Sequence, residues 1–208
     1  NYGDYTVILQ NQHRLIIKTE LDNSGWYTEF NKEYNDCHDW QTQGYNSYDD
    51  CMCNENHTNC PPEYLCFTAE QANSTVALTI PSGISVELYK STDGTNFSAW
   101  DGTTITLSNV GDKVYLYGEN DYFATSFLDI ASNHCNFTMT GQIAASGDIT
   151  TLLTQQGTTT LSYPCTFARL FQYCTSLTTP PTLPATTLSE HCYDGMFESC
   201  RALTTAPS

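Results

Sequence analysis

The sequence has little positive charge, few charged residues overall and no long apolar run. Only 7 of its 208 residues are Lys or Arg, against 23 Asp and Glu, and the formal net charge is -16. Nucleic acids and anionic membrane surfaces both attract clustered basic side chains, which this chain lacks. No stretch approaches the roughly 20 apolar residues that span a bilayer. We therefore expect neither nucleic acid as a partner nor membrane insertion within this segment.

Cysteine, by contrast, is abundant, with ten residues in the chain. High cysteine content is typical of oxidising compartments, so we expect an extracellular, cell-surface or virion-surface location. Zinc binding with His38 and His57 is the weaker alternative, because Cys51-x-Cys53 is closer than the usual spacing of paired zinc ligands. We expect no bound metal and no cofactor. The disulfide candidates are Cys37, Cys51, Cys53, Cys60, Cys66 and Cys135.

Residues 1–63 form an acidic, cysteine-rich N-terminal segment. Thr6–Leu9 and Leu15–Lys18 are apolar and β-branched enough to predict two short strands. The stretch from Asn23 to Pro62 is rich in Asn, Asp, Tyr and Gly, which predicts a long loop. A loop this polar needs cross-links to become ordered, so at least two of its four cysteines should form disulfides.

Residues 64–155 alternate between apolar and polar side chains with period two. Val76 and Leu78 alternate with Ala77 and Thr79, and Asp93-Gly94 is a strong hairpin signal. The same alternation occurs around Val86, Leu88, Ile105, Leu107, Val114, Leu116, Phe137 and Met139. Short strands separated by turns predict an antiparallel β-sandwich of the immunoglobulin-like type. Its outer face is rich in Thr and Tyr, which suits either a soluble surface or the stacking of sugars on exposed rings.

Residues 156–208 contain an internal repeat. Thr159–Cys165 recurs as Thr186–Cys192, and Leu170–Thr179 recurs as Met196–Thr205, at offsets of 27 and 26 residues. This period lies in the range of leucine-rich repeats, and the apolar residues at i, i+3, i+4 and i+7 predict a short helix in each copy. The predicted repeat core is Leu170, Phe171, Cys174, Leu177, Met196, Phe197, Cys200 and Leu203.

The remaining two cysteines of the repeats, Cys165 and Cys192, either are buried as small apolar side chains or pair with each other. Cys174 and Cys200 occupy the apolar stripe, so we expect them to be buried rather than reactive. The Pro-rich link Pro180–Pro184 cannot be helical and should connect the two copies in an extended form.

These motifs resemble BspA-like leucine-rich-repeat surface proteins. The resemblance lies in Phe171–Thr179, in Leu183–Leu188 and in the following Cys192. Upstream, four segments resemble the β-domain that precedes such repeats: Tyr64–Ala69, Ser91–Thr95, Thr103–Tyr115 and Ile143–Ile149. The resemblance covers about residues 64–208, whereas residues 1–63 match no family known to us. It implies extracellular display, adhesion and ligand binding, with no catalytic residues to carry over.

The sequence carries no strong catalytic motif, so we expect no enzyme. It has no nucleophile elbow, no His-Glu-x-x-His and no glycine-rich phosphate loop. A hydrolase acting on surface glycans would need a perturbed carboxylate pair in a cleft. Four sequons make Asn56, Asn73, Asn96 and Asn136 candidates for glycosylation.

The sequence as a whole predicts a non-enzymatic adhesion or recognition protein that binds a protein or glycan on a cell surface. The alternative is a structural subunit of an extracellular or viral fibre or filament, which would bind copies of itself through its N-terminal segment. Two repeats are few for a solenoid, so we expect the chain to be part of a longer protein. We also expect Thr6–Leu9 and Leu15–Lys18 either to make contacts between molecules or to complete the sandwich of their own chain.

Overall fold

The computed structural model describes residues 5–10, 14–19, 63–128 and 130–207. The chain divides into two compact units, Asn1–Pro61 and Pro62–Ser208. In the first unit, strand β1 (Tyr5–Gln10) pairs antiparallel with β2 (Arg14–Thr19). The two strands predicted near the N-terminus are therefore present, one residue longer at each end than the predicted ranges. The loop from Asn23 to Pro62 lies outside the described residues.

The second unit is mainly β. Its strands are β3 (Leu65–Ala69), β4 (Ser74–Thr79), β5 (Leu88–Ser91), β6 (Ser98–Ala99), β7 (Ile105–Leu107), β8 (Lys113–Gly118), β9 (Asn136–Thr140), β10 (Ile143–Ser146) and β11 (Leu177–Thr179), with one 3-10 helix at Ile149–Leu152. They form a six-stranded sheet in the order β11-β10-β3-β8-β5-β6 and a three-stranded sheet in the order β7-β4-β9. All pairs are antiparallel except β10 with β11.

One apolar core is shared by the two sheets. Leu65 and Phe67 of β3 belong to the same buried cluster as Val76 of β4 and Phe137 of β9. Successive side chains of a strand point to opposite faces, so every second side chain of these strands lies in this cluster. The alternation predicted for β4, β7, β8 and β9 is confirmed, and the mainly β class is confirmed with it.

The Asp93-Gly94 signal gives the predicted hairpin between β5 and β6. Gly94 has φ of 75°, a left-handed conformation that favours glycine. The Asp93 carboxylate accepts hydrogen bonds from the N–H groups of Thr95 and Asn96 and from the hydroxyl of Ser91. The side-chain amide of Asn96 also donates to this carboxylate, at 2.7 Å. That bond, together with the others, fixes the turn and holds the pKa of Asp93 below its usual range.

The two copies of the repeat are chains of turns rather than helices. Positive φ angles occur at Cys165, Arg169 and Tyr173, and again 26 residues later at His191, Gly195 and Ser199. A left-handed residue at every fourth position interrupts the i to i−4 bonding of an α-helix. The prediction of short helices is therefore wrong, and the described residues of the chain contain no α-helix.

Alternate N–H groups of the first copy bond to the second copy. The N–H groups of Phe167, Arg169 and Phe171 donate to carbonyls 25 residues further along, at distances of 2.8 to 3.0 Å. On the other side, Phe123 and Phe137 donate N–H groups to carbonyls of the first copy. In the second copy, the corresponding N–H groups have no backbone acceptor among the described residues; they belong to His191, Tyr193, Gly195, Phe197 and Ser199.

Stacked rings continue this arrangement through the core. Phe137, Phe171 and Phe197 lie one above the next, with centroids 5.0 and 5.4 Å apart. Six of the eight predicted repeat-core residues are buried, and the other two, Phe197 and Leu203, pack half-buried against the same cluster. The division predicted between residues 155 and 156 thus falls inside one compact unit, Pro62–Ser208.

Candidate functional site

The outer face of the six-stranded sheet carries a cluster of aromatic rings, which we call the aromatic row: Tyr64, Tyr89, Phe97 and Tyr117. Tyr89 and Tyr117 are direct neighbours on β5 and β8, and their rings stack with centroids 4.8 Å apart. Tyr64, next to the first residue of β3, lies 5.6 Å from Tyr117. Because side chains alternate along a strand, these rings lie on the face opposite Leu88 and Leu116. Since Leu88 and Leu116 face the core, the tyrosines face outward.

The β5–β6 turn adds the fourth ring. Phe97 lies 4.7 Å from Tyr64 and 4.8 Å from Tyr117, in edge-to-face contacts. At Gly94, a Cβ would lie 3.6 Å from the ring of Tyr115, which shows that the turn folds back onto the same face. The bonds to Asp93 therefore hold Phe97 in position against the row.

The three tyrosine hydroxyls of the row differ in their hydrogen bonding. Tyr89 donates to a carboxylate oxygen of Glu87, and Tyr64 accepts from the side-chain amide of Gln155 at 3.0 Å. The hydroxyl of Tyr117 has no hydrogen-bond partner among the described residues. The hydrogen bond to Glu87 raises the pKa of Tyr89, and desolvation raises that of Tyr117. Both hydroxyls therefore remain protonated, as donors, well above neutral pH.

A polar cleft of about 490 Å³ adjoins the row. It is lined by Ser85, Glu87, Glu119, Asn120, Asp121, Tyr122 and Leu153. Among these described lining residues none is Lys or Arg. Glu87 links the cleft to the row, because it also accepts the hydroxyl of Tyr89.

Asn120 fixes the floor of the cleft. Its side-chain oxygen accepts the N–H of Glu87 at 2.7 Å, and its amide nitrogen donates to the carbonyls of Glu87 and Leu152 at 2.9 and 2.8 Å. Gly118 allows this close approach, since a Cβ there would lie 2.4 Å from the same amide nitrogen. The backbone beside the carboxylates is therefore preorganised. No sequence pattern marks this cleft, whose members come from three separate segments.

The cysteines in the described part of the chain are all free and buried. Cys66 lies on β3 opposite Ser146 and Tyr115, on the outer face, whereas Cys135 belongs to the core. Because they lie on opposite sides of the sheet, the structure forms no disulfide between these two candidates. The other four candidates, Cys37, Cys51, Cys53 and Cys60, lie outside the described residues.

The thiols of the repeats act as hydrogen-bond donors. Cys174 donates to the carbonyl of Phe137 at 3.0 Å and Cys200 to that of Phe171 at 2.9 Å. Burial raises the pKa of Cys200 to about 11 and that of Cys135 to about 12. A thiol is reactive as the thiolate, so these groups are poor nucleophiles at neutral pH. The structure thus buries Cys174 and Cys200 as the sequence predicts.

The sequons differ in their surroundings. Asn73 is exposed in a turn, with φ of 59°. Asn96 is engaged with the Asp93 carboxylate at 2.7 Å. The side-chain nitrogen of Asn136 donates to the carbonyls of Arg169 and Gln172 at 2.9 and 3.0 Å. A glycan on Asn136 would have to break both bonds. Asn56 lies outside the described residues.

Other classes of site find little support in the part of the chain that the structure describes. No group of three or more His, Cys, Asp or Glu could hold a metal there. Burial raises the pKa of the Asp148 carboxyl, but Asp148 caps the 3-10 helix by accepting from the N–H and hydroxyl of Thr150. Within the same residues, no helix is long and apolar enough to cross a membrane.

Comparison with known proteins adds no relative. No family model matches the chain. No curated protein and no solved structure matches it either.

Proposed function

We propose that this chain is a non-enzymatic, extracellular recognition or adhesion protein that contacts its ligand through the aromatic row and the adjoining cleft. The observation that carries the proposal is the row itself. Three tyrosines and a phenylalanine lie together on an outer face, half-exposed, and the turn that completes them is fixed by Asp93. Exposed aromatic clusters beside convergent polar groups are characteristic of binding sites.

The fold supports a finer proposal, an immunoglobulin-like sandwich followed by leucine-rich repeats of the BspA-like kind. Two sheets with a common core support the sandwich. The repeats are supported by the equal φ pattern at a 26-residue offset and by the ladder of hydrogen bonds between the two copies. Repeats of this length that stack and share a core are typical of solenoids.

The buried thiols are compatible with the proposed extracellular location. Each described cysteine is at most 8% exposed, so oxidants reach these groups poorly even though they are unpaired. Desolvation also disfavours the thiolate that oxidation requires. Free cysteines in this unit therefore do not conflict with display in an oxidising environment.

The experiment is binding of the fluorescently labelled 208-residue chain to a panel of intact cells, measured by flow cytometry. We expect saturable binding that the double substitution Tyr89→Ala with Tyr117→Ala removes. Tyr173→Ala is the matched control, because Tyr173 is 59% exposed on the first repeat, outside the row. The proposal would be contradicted if no cell type showed saturable binding, or if Tyr173→Ala reduced binding as much as the double substitution does.

A second candidate function is assembly into a fibre through the N-terminal unit. Strands β1 and β2 form a sheet of two, and no other described strand pairs with either. A two-stranded sheet leaves a row of unpaired backbone groups on each outer edge, where a neighbouring chain can add. Sedimentation velocity over a wide concentration range, with electron microscopy of the same samples, tests this. A monomer at every concentration would remove the candidate.

A further inference from the structure

We infer that the ligand of the aromatic row and cleft is a carbohydrate chain without acidic groups. This inference rests on the proposed function, and it names the chemical class of the ligand. It is carried by three observations: an uncovered ring face, hydrogen-bonding groups beside it, and the sign of the charge around both.

The uncovered ring is that of Tyr89. Tyr117 covers one face of this ring, at an interplanar angle of 17°. On the other side the neighbouring position in the sheet is Ala99 of β6, an exposed residue whose side chain ends at Cβ. The second face of Tyr89 is thus not covered by the adjacent strand. The apolar C–H face of a sugar ring is complementary to such an aromatic surface, while its edge carries hydroxyl groups.

The cleft supplies partners for those hydroxyls. Glu87, Glu119 and Asp121 are exposed carboxylates, which accept hydrogen bonds from O–H groups, and the hydroxyl of Ser85 can donate or accept. The free hydroxyl of Tyr117 adds a donor beside them. A volume of about 490 Å³ lies within the usual size of small-molecule sites. Stacking at one end and hydroxyl acceptors at the other match a chain of sugars.

Charge excludes one large class of glycans. Three carboxylates line the cleft, and the chain as a whole carries a formal charge of -16. Sialylated, sulfated and uronic-acid sugars would be repelled. A basic peptide would carry the complementary positive charge, but an ion pair at exposed carboxylates contributes little to binding. Ring contact and hydroxyl hydrogen bonds therefore favour the neutral carbohydrate.

The experiment uses an array of neutral, sialylated and sulfated oligosaccharides, followed by titration calorimetry with the best neutral binder. We expect binding to neutral chains only. Tyr89→Ala should weaken it about tenfold or more, since lost stacking of about 1.4 kcal/mol corresponds to that factor. Tyr89→Phe keeps the ring and should stay within a few-fold of the parent, as should the control Tyr173→Ala. Thermal unfolding of each variant checks the fold.

Several results would overturn the inference. One is binding to acidic glycans alone; another is equal loss of affinity for Tyr89→Phe and Tyr89→Ala. A third is binding to a Lys- and Arg-rich peptide that salt abolishes and Glu119→Gln weakens, with no glycan bound. If cells still bind the protein after periodate oxidation of their glycans but not after protease treatment, the proposed function stands and the carbohydrate inference fails. If untreated cells do not bind at all, the proposed function itself fails.

Discussion

Buried thiols make the stability of the Pro62–Ser208 unit sensitive to alkaline pH. Burial raises the pKa of Cys135 to about 12 and of Cys200 to about 11, from an ordinary value of 9.0. At a pH between 9.0 and the raised pKa of each thiol, the unfolded chain has lost protons that the folded chain retains. The free energy of unfolding should therefore be unaffected by these groups below pH 9 and fall as pH rises above it, by up to roughly 1.4 kcal/mol per pH unit and thiol.

Urea unfolding at several pH values from 8 to 10.5 measures this slope. Cys200→Ala should make the slope shallower, whatever it does to the stability at pH 7. An unchanged slope would mean that the thiol of Cys200 is not desolvated in the folded chain. The same burial predicts that alkylating reagents at pH 8 leave the described cysteines unmodified until the protein unfolds.

Glycosylation should discriminate between the sequons of the described residues. Expressed in a eukaryotic secretory host, the chain should carry a glycan on Asn73, where the side chain is exposed in a turn. Asn136 should remain unmodified, because its amide nitrogen holds two carbonyls of the first repeat. Peptide mapping by mass spectrometry after enzymatic deglycosylation reports both positions. A fully occupied Asn136 would contradict the observed hydrogen bonds.

The stacked phenylalanines make the repeats unequal in their contribution to stability. Phe171 is fully buried between Phe137 and Phe197, whereas Phe197 is half-buried and, among the described rings, stacks only on Phe171. Truncation of a buried Phe costs about 3–5 kcal/mol. We expect Phe171→Ala to fall in this range and Phe197→Ala to cost clearly less. Chemical denaturation of both variants compares them, and equal losses would mean that Phe197 is as enclosed as Phe171.

The strands could be predicted from the sequence, but the conformation of the repeats could not. Alternation identified Val76, Leu78, Val114 and Leu116 as inward-facing, because a sheet with one buried face leaves a period of two in the sequence. The apolar stripe in the repeats has helical spacing, yet a chain of turns with a left-handed residue at every fourth position gives the same spacing. At non-glycine positions such as Cys165 nothing in the sequence marks a positive φ.

The candidate site was only partly predictable. A Tyr-rich outer face followed from the same alternation, and Asp93-Gly94 predicted the hairpin that carries Phe97. The cleft depends instead on contacts between residues far apart in sequence, such as Asn120 with Glu87 and Leu152. No local pattern records such contacts, since they exist only once the strands have paired.

The division of the chain predicts that the second unit folds by itself. Pro62–Ser208 contains both sheets of that unit and its own core. Limited proteolysis of the intact chain should therefore release a stable fragment beginning near Pro62. The fragment should unfold cooperatively on heating, with a transition seen equally by circular dichroism and by tyrosine fluorescence. A fragment that loses its structure on release would show that its fold depends on residues before Pro62.

The N–H groups of the second repeat that have no backbone acceptor among the described residues give the pair of repeats a direction. Two molecules that met through this edge would set backbone donor against backbone donor, and no bond between the two backbones could form. The carbonyls that match the edge within the repeats lie on the far side of the first copy, where Phe123 and Phe137 already donate to Thr166 and Leu170. Head-to-head dimers and head-to-tail chains of identical molecules are both frustrated at this edge. Self-association through backbone hydrogen bonds, where it occurs, must therefore use another surface.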